Sequence, residues 1–330
     1  MVKIIAEIGS VHDGSLGNAL CLIDAAAACG ADAVKFQTHI AEAETLPDAP
    51  MPPYFKGEPR FQYFRRTGFS REEWKSLKAK CDENKVQFLS SPFCEDAVDL
   101  LESIGMEIYK IPSGEVTNLP LLKKIALLRK PIILSSGMSS WDELDQAVAL
   151  ITKHHRHLTI LQCTSEYPCP YEQVGLNVML EMNNRYSLPV GLSDHTLTPY
   201  ASFAAVTLGA TIIEKHFTFS RKMYGSDAKH SMEPDEFEMM VRGIRAIEIM
   251  LSSRVDKNSL DNVALMKEIF EKSITASIHI ATGAEITREM LCLKKPGTGL
   301  PAARMADVVG KKARRDILKD TIVRSDDLTA

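Results

Sequence analysis

Short apolar runs recur along the chain, and each is followed by a longer stretch whose apolar residues fall three or four apart. The runs read IIAEIG (4–9), AVKFQT (33–38), VQFLSSPF (86–93), IYKIPS (108–113), PIILSSG (131–137), LTILQCT (158–164), PVGLSDH (189–195) and IIEKHF (212–217). Their length and composition predict strands, and the stretches between them predict helices. Leu16–Cys29 is one such helix, with Gly30 as its stop. Ser139–Thr152 is another, opened by the capping-box pair Ser140 and Glu143. Eight strand–helix alternations predict an α/β fold of the (β/α)8 TIM-barrel type. An open doubly wound sheet is the competing arrangement, but no GxGxxG follows the first run to support it.

The longest interruption is Ile40–Ser70, a proline-rich stretch that carries Tyr54, Phe55, Phe61, Tyr63 and Phe64. On a barrel this is a lid or rim loop. The pattern changes after the predicted helix around Glu233–Leu251. Ser252–Asn262 is polar and Val263–Lys272 briefly amphipathic; short β-like runs follow (SITASIHI, LCLKK, VVGKKA, TIVRS), separated by the turn signals ATGAE, KPGTGLP and KDT. The chain therefore divides into a barrel over 1–251, a linker with a short helix over 252–272, and a small β-rich domain over 273–330. A domain that small buries little surface by itself and is expected to lean on another surface.

Composition narrows the function classes. With 45% hydrophobic residues, the 330-residue chain can build a large core. Its 39 basic and 43 acidic residues leave a net charge of −4, without the basic excess of a general nucleic-acid binder. No apolar run reaches the ~18 residues of a membrane-spanning helix, and MVKIIAEIGS has the pattern of a strand, not of a cleaved leader. Seven cysteines, an odd number without CxxC spacing, do not make a disulfide framework. The expectation is a cytoplasmic protein with small-molecule ligands and no nucleic-acid or membrane partner.

Barrel active sites lie at the C-terminal ends of the strands, and strand side chains alternate between lumen and helix layer. With Ile4, Ala6 and Ile8 packed outward, Glu7 turns inward; with Val34 and Phe36 outward, Lys35 and Gln37 turn inward. Parity likewise groups Ser193 with His195 and Glu214 with His216. His195 and His216 fall one strand–helix unit apart, as two imidazole ligands of a metal whose other positions stay open would; the bland alternative is two unrelated polar histidines. A buried lysine needs a counter-charge, so Lys35 and Lys110 suit a bound phosphate or carboxylate, cradled by the hydroxyls of Ser91, Ser113, Ser135 and Ser193. Glu7 and Glu115 are candidate acid–base or hydroxyl-binding carboxylates, with a salt bridge to Lys35 or Lys110 as the alternative. His12 and His230 read as surface groups before metal ligands, Cys163 as a small core residue, Cys169 as a loop residue, and Met239, Met240 and Met250 as helix core.

Nine stretches resemble the sialic acid synthases, the N-acetylneuraminate synthases with their legionaminate and pseudaminate relatives: IIAEIGSVHDGS, ADAVKFQTH, FLSSPF, YKIPSGEVTNLPLL, KPIILSSGM, LQCTSEYPCPYEQVGLN, VGLSDHT, GATIIEKHFT and KKPGTGLP. They run in order across nearly the whole chain. The resemblance implies a TIM barrel followed by a SAF (antifreeze-like) domain in a domain-swapped homodimer, the SAF domain of one subunit capping the active site of the other. It implies a divalent cation on His195 and His216, manganese first, with magnesium or cobalt as alternatives. It implies that phosphoenolpyruvate is held by Lys35, Ser91, Lys110, Ser113, Ser135 and Ser193, with Ser165 where some members have asparagine. The acetamido sugar falls to Gln37, Glu115, Tyr167 and Asp227, and Glu7 lies beside the reacting centre. Val11 stands where the family has asparagine, and Lys295 where it has the sugar-binding arginine that reaches across from the partner subunit; Arg304 is a second candidate for that role. The implied reaction condenses phosphoenolpyruvate with an open-chain N-acetylmannosamine-type sugar and water. A 2,4-diacetamido-trideoxy hexose or a phosphorylated sugar is the alternative substrate, and a non-catalytic phosphosugar-binding barrel the alternative of another class.

Overall fold

The structure, a computed structural model, describes residues 1–51, 55 and 57–329. The eight apolar runs form β1 (Lys3–Gly9), β2 (Ala33–Thr38), β3 (Gln87–Pro92), β4 (Tyr109–Ile111), β5 (Ile132–Ser135), β6 (Leu158–Cys163), β7 (Val190–Asp194) and β8 (Ile212–His216). They close into a barrel in chain order, with β8 pairing parallel to β1. The surrounding helices are α1 (Leu16–Ala28), α2 (Ala41–Glu44), α3 (Arg60–Thr67), α4 (Arg71–Glu83), α5 (Glu95–Ser103), α6 (Leu119–Leu127), α7 (Trp141–Thr152), α8 (Leu176–Tyr186), α9 (Tyr200–Thr207) and α10 (Pro234–Ser252). Cys29 caps α1 as Gly30 turns the chain away with positive φ, and Ser140 and Glu143 close the expected capping box on α7.

Strand parity sorts the barrel into layers. Ile4, Ala6, Ile8, Val34 and Phe36 pack outward into the main core with the helices. Ile5, Ala33, Leu89, Ile133, Leu161 and Ile212 form a separate apolar cluster, with Ile108 against it. The eighth position of that floor is Gly191, where a Cβ would stand 2.3 Å from the carbonyl oxygen of Ile212; only glycine lets β7 approach β8 that closely. Two residues further along each strand come Glu7, Lys35, Ser91, Lys110, Ser135, Cys163, Ser193 and Glu214, all buried. An apolar floor thus supports a ring of eight polar groups, an arrangement that stacked side-chain layers allow.

Two expectations are corrected here. Ile40–Ser70 is partly helical, carrying α2 and α3; of its aromatics, Phe55 and Tyr63 are buried, and Tyr54 lies outside the described residues. In α10, Met240 is buried while Met239 and Met250 are exposed. At about 100° per residue, positions 239 and 250 share one side of the helix, roughly a quarter turn from 240.

The chain divides into a unit over Met1–Ser253 and a second over Arg254–Ala330. The second unit contains α11 (Ala264–Phe270) and the antiparallel pair β9 (Ser273–Ala276) and β10 (Leu291–Lys294). Its core includes Ile274, Ile280, Ile286, Leu291, Val308, Ile317 and Val323. VVGKKA does not form a strand, because α12 (Met305–Val308) takes its first residue; TIVRS contributes a bridge between Ile322 and Thr275. Among the described residues no helix is long and apolar enough to cross a membrane.

Candidate active site

The polar ring carries two lysines and two carboxylates. Lys35 Nζ lies 2.9 Å from Glu214 Oε1 and 3.4 Å from Glu7 Oε2, and Lys110 Nζ lies 3.5 Å from Glu214 Oε1. Lys110 also donates to Ser135 Oγ at 2.7 Å, and Ser193 Oγ donates to Glu214 Oε1 at 3.0 Å. The counter-charge that sequence reasoning sought in a ligand is thus supplied by the protein, chiefly by Glu214. Strand parity turns Glu214 inward two residues before His216, but no motif marks it as part of the site.

Burial and charge set the protonation of these groups. Burial opposes ionisation of Glu214, but Lys110 and Lys35 outweigh it and hold its pKa at about 2. Burial, aided by Lys35, pushes Lys110 down to about 8 against the pull of Glu214. For Lys35 the same penalty is overcome by Glu214 and Glu7, so its pKa stands above the ordinary lysine value. Glu7 moves the other way: burial raises it, the nearby Glu214 charge adds to the rise, and Lys35 only partly offsets both. One ring therefore contains a carboxyl held ionised and another disposed to take a proton, the division of labour that acid–base chemistry needs.

The serines line the same opening. Ser91 Oγ is buried and makes no hydrogen bond among the described residues. Ser113 Oγ accepts the Gly137 N–H at 2.9 Å. A Cβ at Gly137 would meet Ser165 Oγ at 2.6 Å, Ser113 Oγ at 2.8 Å and Cys163 Sγ at 3.0 Å, so the absent side chain is what lets these three groups converge.

Beside the ring, His195 and His216 lie with ring centroids 5.4 Å apart. His195 Nδ1 is 2.7 Å from the Thr164 carbonyl oxygen, which can only accept, so Nδ1 carries the hydrogen and Nε2 keeps its lone pair. Burial, with His216 alongside, pushes His195 down to about 3, which keeps the imidazole neutral as metal ligation requires. His216 Nδ1 is buried without a hydrogen bond among the described residues. Tyr167 stacks on His195 at 4.2 Å and meets His216 edge-on at 5.9 Å. Two such imidazoles fit a divalent cation that leaves positions for water or substrate. Among the described residues no group of three or more His, Cys, Asp or Glu side chains gathers to form a closed cage.

The outer faces of the same strand ends are pinned by a buried ion pair, Lys215 Nζ to Asp194 Oδ2 at 3.0 Å. Asp194 also accepts the Ser202 hydroxyl and the Thr196 N–H, and Lys215 donates to the carbonyl oxygens of Thr196 and Thr198. This ties the loop after β7 to β8, on which the two histidines depend for their spacing.

Gln37 Nε2 donates to Glu7 Oε1 at 2.8 Å. Gly9, with φ of +55°, leaves room for Asp227: a Cβ there would sit 2.4 Å from Asp227 Oδ2 and 3.2 Å from Gln37 Nε2. Glu115 accepts from Asn118 at 2.7 Å, and partial burial raises its pKa. His230 has its ring 6.1 Å from that of Tyr167. His12 is buried and not a surface group: its ring packs 4.5 Å from that of Phe69, and Nδ1 accepts the Gly14 N–H. Cys163 is a lumen residue of the polar ring, and Cys169 is buried. Lys295 and Arg304 belong to the second unit, where Lys295 Nζ lies 4.8 Å over the Phe270 ring and Arg304 pairs with Asp307.

Comparison with known proteins follows the same division. The model of the NeuB family matches residues 22–256, and that of the SAF domain matches residues 271–329. The N,N'-diacetyllegionaminic acid synthase of Campylobacter jejuni is 39% identical over 329 residues, covering 97% of this chain and 98% of that one. The human N-acetylneuraminate-9-phosphate synthase is 34% identical, covering 97% and 90%. Among solved structures, the spore coat polysaccharide biosynthesis protein spsE of Bacillus subtilis superposes with a TM-score of 0.67 at 32% identity, covering 100% of this chain and 95% of that one. The N-acetylneuraminic acid (sialic acid) synthetase of Leptospira borgpetersenii gives 0.70 at 31% identity, covering 80% and 90%.

Proposed function

The chain belongs to the NeuB family and carries a SAF domain, and on that premise we propose that it condenses phosphoenolpyruvate with an open-chain N-acetylmannosamine-type sugar and water. It is a phosphoenolpyruvate-dependent, C–C bond-forming transferase of the sialic acid synthase type, and its products are a nonulosonic acid and phosphate. The observation that carries the reading is the buried ring at the strand ends, where Lys35 and Lys110 lie among hydroxyls beside Glu7 and the imidazoles of His195 and His216.

Lys35 and Lys110, with Ser91, Ser113, Ser135, Ser165 and Ser193, take the phosphate and carboxylate of phosphoenolpyruvate. Gln37, Glu115, Tyr167 and Asp227 take the sugar, completed by Lys295 or Arg304 from the SAF domain of the partner in a domain-swapped homodimer. C3 of phosphoenolpyruvate bonds to the aldehyde carbon, and a water oxygen bonds to C2. The C2–O bond then breaks, and phosphate leaves with the bridging oxygen. The two protons of the water end on the new hydroxyl and on the phosphate; Glu7, disposed to hold a proton, serves the first transfer. His195 and His216 would hold manganese, or magnesium or cobalt in its place, and the cation when bound supplies Lewis-acid polarisation of the aldehyde oxygen.

A second substrate reading is a 2,4-diacetamido-trideoxy hexose. It is favoured by the 39% identity to a legionaminic acid synthase. The test is phosphate release from phosphoenolpyruvate with N-acetylmannosamine, its 6-phosphate or the diacetamido sugar, each with manganese, magnesium, cobalt or chelator. Release with one acetamido sugar identifies the substrate. Sugar binding with no release from any combination would replace the synthase by a phosphosugar-binding barrel.

A further inference from the structure

His39, immediately beyond β2, lies outside every role so far assigned, yet its side chain is almost completely buried. Its ring is sandwiched between Phe64, at 3.8 Å and 6° from parallel, and Phe93, at 4.1 Å and 21°. On one edge, Nδ1 lies 2.6 Å from Glu44 Oε1; on the other, Nε2 lies 3.2 Å from Gln37 Oε1. Gln37 Nε2 in turn donates to Glu7 Oε1. Glu115, Arg60, His12 and Cys94 are further titratable or charged groups near this corner, and Arg60 Cζ lies 5.2 Å from the centroid of the Phe64 ring.

The polarity of this chain is fixed link by link. With the Gln37 amide nitrogen given to Glu7, the other end of the amide is a carbonyl that can only accept. His39 Nε2 must therefore carry a hydrogen. Nδ1 faces a carboxylate oxygen at 2.6 Å, a contact that also needs a proton between the two atoms. The aromatic sandwich prevents the ring from turning to escape the arrangement. If Nε2 lost its hydrogen, the amide of Gln37 would flip and set its carbonyl against Glu7 Oε1, a contact between two acceptors whenever Glu7 is ionised and satisfied only when Glu7 carries a proton.

We infer that His39, locked by Glu44 and the Phe64–Phe93 sandwich, is a positioning residue that orients the Gln37 amide so that its NH2 faces Glu7 and the sugar while Glu7 is held at the reacting centre. The inference rests on the proposed synthase reading for its kinetic consequence but not for its geometry. Glutamine keeps a nitrogen at the Nε2 position of histidine, whereas asparagine keeps one only at the Nδ1 position, and both lose the ring. His39→Asn is expected to lower kcat by about 10–100-fold and raise the sugar KM, the range typical of removing a hydrogen-bond partner behind a functional group. His39→Gln is expected to recover most of that loss, and the phosphoenolpyruvate KM stays within about twofold in both, since Lys35 and Lys110 are untouched. Equal kinetics in the two variants, tracking an equal loss of thermal stability, would mean that the ring only packs, and would overturn the inference. A nitrogen-15 spectrum of the histidines, with the His39 signal assigned by its disappearance in His39→Gln, tests the geometry without turnover. A protonated Nε2 at neutral pH supports the inference, and an unprotonated Nε2 overturns it. If the unmodified protein releases no phosphate while Nε2 is protonated, it is the synthase reading that fails.

Discussion

Glu214→Gln removes the carboxylate charge that acts most strongly on both buried lysines. At the observed 2.9 Å to Lys35 and 3.5 Å to Lys110, an effective dielectric of 20 gives attractions of roughly 6 and 5 kcal/mol before desolvation. Desolvation offsets much of this, and removing one partner of a buried pair leaves a net loss of about 3–5 kcal/mol. At ~2–4 °C per kcal/mol for a barrel of this size, the melting temperature should fall by roughly 6–20 °C. Because the amide carbonyl can still accept the Ser193 hydroxyl, the loss reports charge and not shape. The sign of the pH dependence follows from the lowered pKa of Glu214. Its contribution is complete above the unfolded carboxylate value and disappears as pH falls through about 2. The gap between the two proteins should therefore hold constant from about pH 5 to 7 and close only in acid. Inorganic phosphate, which restores a counter-charge, should raise the melting temperature of the variant more than that of the parent. Thermal unfolding followed by circular dichroism, with and without phosphate, measures both. An unchanged melting temperature with equal phosphate responses would refute the idea that Glu214 holds the place of the anion.

Three further outcomes are expected. Lys110, pushed down to about 8 by burial and by Lys35, should make kcat/KM for phosphoenolpyruvate fall as pH rises through that value; its contribution to stability should move oppositely, since the unfolded lysine holds its proton more tightly. A flat kcat/KM profile through pH 9 would exclude Lys110 from binding the anion. His195→Ala and His216→Ala should each weaken manganese binding, measured by paramagnetic resonance, with an unchanged far-ultraviolet spectrum; full binding to the double variant would end the metal assignment. Gly9→Ala forces a Cβ onto a φ of +55° and against Asp227 Oδ2, at a conformational cost of about 1–2 kcal/mol. It should raise the sugar KM and leave the phosphoenolpyruvate KM alone, and an unaltered sugar KM would remove Asp227 from the sugar site.

Strand parity made much of the site legible. Because side chains alternate on a strand, Glu7, Lys35 and Glu214 could be turned inward from the apolar residues beside them, and the structure stacks them on Ile5, Ala33 and Ile212 as that logic requires. What parity could not give was pairing across the lumen. Lys110 on β4 meets Glu214 on β8, a contact set by barrel closure and strand stagger that no local pattern encodes. His39 was invisible for a similar reason: its sandwich joins Phe64 on α3 to Phe93 beyond β3, elements separated in sequence and brought together only by the fold. His12 read as a surface group because its burial against Phe69 is likewise long-range. In the second unit, short β-like runs became isolated bridges and a helical turn, since strand propensity without a partner does not fix a ladder.

The central claim is condensation with cleavage of the C2–O bond of phosphoenolpyruvate in this barrel. Phosphoenolpyruvate carrying oxygen-18 at the bridging position, incubated with manganese and an acetamido sugar, tests it by phosphorus magnetic resonance. The account predicts sugar-dependent release of inorganic phosphate that keeps the heavy oxygen. Release of unlabelled phosphate, or no release with any acetamido sugar, would contradict it.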